Sequence, residues 1–67
     1  MDKEELVNAL NYAQKQTAIK GIPILNDWQK VIDMLGIDMK IDRDSNPGAV
    51  MVVIHAELMK RMVSGDL

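Results

Sequence analysis

The chain has no cysteine and no phenylalanine, and its 67 residues include only one tryptophan, one tyrosine and two prolines. Lacking cysteine, it has no disulfide to hold a small fold and no thiolate zinc site. Lacking phenylalanine, it must build its core from aliphatic side chains, with six methionines where aromatics would usually stand. Methionine fills irregular gaps well but specifies a unique packing poorly. Charge of one sign is also scarce: eight Lys and Arg face ten Asp and Glu, a net charge of -2 at pH 7. That balance creates no cationic field for a nucleic-acid backbone, and too weak an anionic one to imitate it. The longest unbroken apolar run, Ala49 to Ile54, is six residues, far short of the ~20 that span a membrane. The opening Met-Asp-Lys-Glu-Glu is acidic where a secretory leader is basic and then apolar. A cytoplasmic chain with neither nucleic-acid nor membrane partners is expected.

What is present suits a folded protein. With 48% hydrophobic and 27% charged residues, the composition is globular, not disordered. The length allows one domain, residues 1–67, and sits below the size at which one core comfortably stabilises a chain. Natural chains of this size add disulfides, a metal or a partner subunit. The first is impossible here and the second has no obvious ligand set. A homo-oligomer, a dimer in the simplest case, is therefore expected, and abundant methionine agrees, because methionine is enriched at interfaces.

Apolar periodicity predicts a mostly α fold of three helices, at about 2–20, 27–35 and 47–63. The first begins at Asp2, with Glu5 three residues on, a capping-box spacing. Its inward face is Leu6, Leu10, Ala13 and Thr17, and Gly21 ends it. Pro23 keeps Ile22 extended, so 21–25 is an apolar connector. Asn26 caps the second helix with Gln29 at the box position, and Trp28, Val31, Ile32 and Leu35 form its stripe. Between 37 and 42, Ile37, Met39 and Ile41 alternate with Asp38, Lys40 and Asp42, as in a half-buried extended segment that needs a partner. Ser45 or Asn46 followed by Pro47 signals the start of the third helix. Residues 49–54 favour a strand by propensity, so an α+β alternative pairs 37–42 with 49–54 as a hairpin. The helical reading follows Pro47 and the stripe Met51, Ile54, Leu58 and Met62. On that reading Val50 and Val53 lie opposite the stripe, and a helix apolar all round has to be buried all round, in a dimer core.

Catalytic chemistry has few candidates. The single histidine, His55, lies between Met51 and Met59, a Met-x3-His-x3-Met set that could attract Cu(I). Methionine at helical spacing is usually core, however, so no metal is assigned. A histidine meeting its own copy across a two-fold axis would make assembly acid-sensitive. Asp42, Asp44 and Asn46 match the opening of a calcium loop, but Pro47 stands where glycine is needed and Val53 where the bidentate glutamate belongs. The four glycines are scattered at helix ends and form no phosphate loop. A helix-turn-helix reading places Gln29 and Lys30 on the second helix, beside Asp27 and Asp33, which repel phosphate. No catalytic residue and no cofactor is assigned.

The expected function is therefore a non-enzymatic interaction module: a homodimer that binds, and in one form inhibits, another protein as adaptor or inhibitor. The interface candidates are Tyr12, Trp28, Met51, Ile54, His55, Leu58, Met59 and Met62. The alternative is an oligomeric binder of a small anionic ligand or nucleotide, with Tyr12 stacking and Lys15 or Lys20 neutralising charge. A DNA-binding regulator is the weaker third reading.

Overall fold

The computed structural model describes residues 3–65 and contains three helices, α1 (Lys3–Lys20), α2 (Leu25–Met34) and α3 (Pro47–Ser64). Among the described residues there is no strand. The 37–42/49–54 hairpin is thereby corrected: residues 49–54 are helical, because Asn46 and Pro47 start a helix and the apolar run continues it. The Asn46 carboxamide oxygen accepts from the Gly48 and Ala49 amides at 2.8 and 3.2 Å, which satisfies two of the first-turn donors. A start signal of this strength outweighs the β propensity of single valines, whose whole scale spans about 1 kcal/mol.

Helix α1 carries Glu4 and Glu5 in its first turn and Lys20 in its last, matching the helix dipole. Leu6 and Ala13 are buried, and Leu10 and Thr17 half-buried, so the predicted face points inward. The expected Asp2 cap lies outside the described residues.

Helix α2 begins two residues earlier than its polar signal implied. Its cap is Ile24, with no side-chain bond, and the main-chain carbonyl of Ile24 accepts from the Asp27 and Trp28 amides. Asn26 is therefore inside the helix and Gln29 makes no capping box. The physical reason is relative magnitude. A side-chain cap contributes about 1 kcal/mol, whereas fully burying a large apolar side chain contributes about 1.5–3 kcal/mol. The helix is placed to bury Trp28, Val31 and Ile32. At its other end Gly36, at φ +73°, makes the left-handed turn of a Schellman motif. The Gly36 amide donates to the Asp33 carbonyl and the Ile37 amide to the Ile32 carbonyl. Ile37 then packs on the core.

The extended segment behaves as its alternation predicts in one respect: Ile37, Met39 and Ile41 are half-buried, while Asp38, Lys40 and Asp42 are exposed. Its partner is a single side chain. The Gln29 carboxamide donates from Nε2 to the Met39 carbonyl and accepts at Oε1 from the Ile41 amide, both at 2.8 Å. Nε2 also donates to Asp33 Oδ1 at 2.9 Å. One side-chain amide thus does for this stretch what a neighbouring strand's peptide would do.

The buried core is Leu6, Ala13, Trp28, Val31, Ile32, Leu35 and Ile54. Helix α3 supplies only the last of these, supported by half-buried Val50, Met51 and Leu58; Val50, one turn before Ile54, thus lies on the core side and not opposite the stripe. It is also tied down by Arg61, whose Nη2 donates to the Leu35 carbonyl at the C-terminus of α2 at 2.7 Å. A cation there satisfies an orphan carbonyl and complements the dipole. Arg61 Nε is buried and lies 3.4 Å from Glu57 Oε1, an ion pair too poorly aligned to be a hydrogen bond.

Candidate interaction surfaces

Three surfaces present themselves, and each is set up by the packing just described. The first is an apolar groove of about 610 Å³ between the end of α1, the 21–25 connector, the 41–47 turn and the start of α3. Trp28 forms part of its lining, with Ile22, Pro23, Leu25, Ile41 and Met51 around it. The indole is buried, at 6% exposure, and its Nε1–H donates to Thr17 Oγ1 at 2.9 Å. Thr17 passes the bond on to the Ala13 carbonyl at 2.8 Å. The tryptophan is therefore a fixed wall, with its one polar atom satisfied inside the protein. Ile22 is 63% exposed at the mouth, because Pro23 prevents the connector from folding back as helix.

The second surface is the outward side of α3. Val52, Met59, Met62 and Val63 are 68%, 65%, 66% and 88% exposed. The third is a cleft beside Tyr12, of about 580 Å³, between the outer side of α1 and α2. It is lined by Glu5, Asn8, Ala9, Asp27, Lys30 and Met34 together with the tyrosine.

The side chains singled out in the sequence divide among these places. Trp28 and Ile54 lie in the core, and Met51 and Leu58 are half-buried against it. Tyr12, His55, Met59 and Met62 are exposed. The predicted stripe on α3 needs a correction at its end: Met62 faces out, because Arg61 takes the inward position in line with Ile54 and Leu58 and reaches α2. His55 is likewise outside the stripe and open to solvent. Lys15 and Lys20 are exposed on α1, and the cation that joins Tyr12 in its cleft is Lys30.

Other polar groups already have partners. Asp42 Oδ1 accepts from the Asp44 amide at 2.8 Å and from Ser45 Oγ at 3.3 Å, as expected of a polar turn ahead of a helix. Gln29, the best base-reading residue of a recognition helix, is committed to Met39 and Ile41. Among the described residues no group of three or more His, Cys, Asp or Glu could hold a metal ion, and no helix is long and apolar enough to cross a membrane.

Two residues hold the architecture together in roles the sequence does not announce: Arg61, an arginine on the inward line of an apolar helix, and Gln29, which the sequence places in a capping box or a base-reading position and which instead binds the 37–42 segment. No protein family, no curated protein and no solved structure matches this chain.

Proposed function

We propose that this chain is a non-enzymatic, homodimeric interaction module that acts by binding another protein. The observation that supports it is the outward face of α3, which leaves Val52, Met59, Met62 and Val63 exposed along one helix of the fold. Large apolar side chains gathered in one strip on a chain of this size are characteristic of a contact surface. The groove around Trp28 then serves the second protein, being apolar, preformed and walled by a fixed aromatic ring. Occupying it would block whatever the partner's inserted segment does, which is the simplest route to an inhibitor.

Light scattering over a dilution series tests the assembly. A mass twice that of the 7.5 kDa chain is expected across the micromolar range. A monomer at every concentration would overturn the homodimer. For the second protein, Ile22→Arg at the groove mouth should abolish capture of a binding partner while leaving helicity unchanged. Tyr12→Ala should weaken capture if the α1 face is used.

An anionic small ligand beside Tyr12 is the second reading, supported by Lys30 in the same cleft. The carboxylates of Glu5 and Asp27 line that cleft too and oppose an anion, so the protein-binding reading stands ahead of it. DNA binding stands last: the net charge is negative and Gln29 is occupied.

A further inference from the structure

The outer face of α3 is patterned. At ~100° per residue, the positions pointing most nearly opposite buried Ile54 are Ala49, Val52, Ala56, Met59 and Val63. All five are exposed. Their spacing alternates three and four, the a/d repeat of a helix that packs along one seam of a second helix. Core-facing residues of α3 follow another line, so the seam is independent of the monomer's own packing.

We propose that this seam pairs with the same seam of a second copy, with the two α3 helices antiparallel. The inference rests on the homodimer reading above and adds its surface, orientation and register. Size argues for the orientation. Small and larger residues alternate along the seam, Ala49 and Ala56 against Val52 and Met59. In an antiparallel pair each alanine faces a larger side chain, Ala49 against Met59 and Ala56 against Val52 of the other copy. A parallel pair stacks alanine on alanine and leaves voids at two layers.

Charge argues the same way. Lys60 is exposed beside the seam near the C-terminal end of the helix. Antiparallel pairing sets the two Lys60 residues about 18 Å apart along the axis at the 1.5 Å helical rise, beyond the ~8–10 Å screening length. Parallel pairing would place the two cations at the same axial level. On one flank of the seam Val53 adds apolar surface and Lys60 has an aliphatic stem to lay across it, and His55 borders the other flank.

The absence of native cysteine makes the register directly readable. Ala49→Cys and Met59→Cys chains, mixed while reduced, allowed to exchange and then oxidised, should form the mixed disulfide at least about five-fold over either self-disulfide. Val52→Glu should halve the solution mass while keeping the helical circular dichroism of the parent. Strong self-disulfides at both positions would overturn the antiparallel orientation. A dimer that gives no cross-link, or that survives Val52→Glu, would overturn the seam and leave the homodimer reading standing. A monomeric parent would overturn both, and binding of that monomer to neutral phosphatidylcholine vesicles would assign the strip to a lipid surface instead.

Discussion

Helices α2 and α3 use their residues in opposite ways. The shorter one, Leu25–Met34, buries Trp28, Val31 and Ile32, and Leu35 follows just beyond its end. The longer one, Pro47–Ser64, fully buries Ile54 alone. Yet α3 is the more apolar helix, carrying no acidic residue but Glu57. The length of an apolar stretch therefore does not predict how much of it joins the monomer's core. What decides is geometry: α2 lies against α1 along its length and receives the 37–42 segment on the Gln29 carboxamide, whereas α3 meets the rest along one line of residues. The other side of α3 is left exposed.

The sharpest way to break this contrast is at the centre of α2. Ile32→Ala removes a side chain with 0% exposure and should cost about 2–5 kcal/mol, read as a fall in the urea midpoint. A cost below 1 kcal/mol would show that α2 is not the organising element. Next in size is the tie between the two helices. Arg61→Met keeps the aliphatic stem but leaves the Leu35 carbonyl without its donor, at a cost of about 1.5–3 kcal/mol. Lysine at the same position should recover part of that loss, because it restores a cationic donor. Equal stability for the methionine variant would detach α3 from the C-terminus of α2.

A smaller effect is expected at Gln29. Replacing it with alanine removes both bonds to the extended segment, at about 1–2 kcal/mol. The diagnostic signal is local: hydrogen exchange at the Ile41 amide should accelerate well before the α2 amides do. Uniform acceleration would mean the segment is held by its side chains, not by the carboxamide. Smallest of all is Tyr12→Ala, at 55% exposure, which should change stability by less than about 0.5 kcal/mol. Thermal unfolding of that variant checks it, and a larger loss would place the ring in a contact that matters to the fold.

Much of the fold could be read from the residues. The four-residue stripe Trp28, Val31, Ile32 and Leu35 is buried in full, the Asn46–Pro47 start of α3 is where the sequence puts it, and the alternation at 37–42 translates into alternating burial. What could not be read were interactions between residues distant in sequence. Nothing local distinguishes a glutamine that caps a helix from one that pairs with backbone 10 to 12 residues away. The stripe through Met51, Ile54 and Leu58 on α3 was readable and does turn inward, but its last position was not: Arg61 takes it in place of Met62 and reaches the Leu35 carbonyl. Of the side chains singled out by position, Tyr12, His55, Met59 and Met62 are exposed, whereas Trp28 and Ile54 are buried in the monomer's core.

The lone tryptophan carries a practical consequence. Trp28 is buried, hydrogen-bonded to Thr17, and forms part of the groove's lining. Its fluorescence therefore reports two events by different routes: unfolding shifts emission to the red as water reaches the ring, and an occupant of the groove alters intensity while the fold stays intact. The outer side of α3 faces away from that ring. Assembly through α3 should thus be optically silent, and binding in the groove should not be, so one cuvette separates the two surfaces.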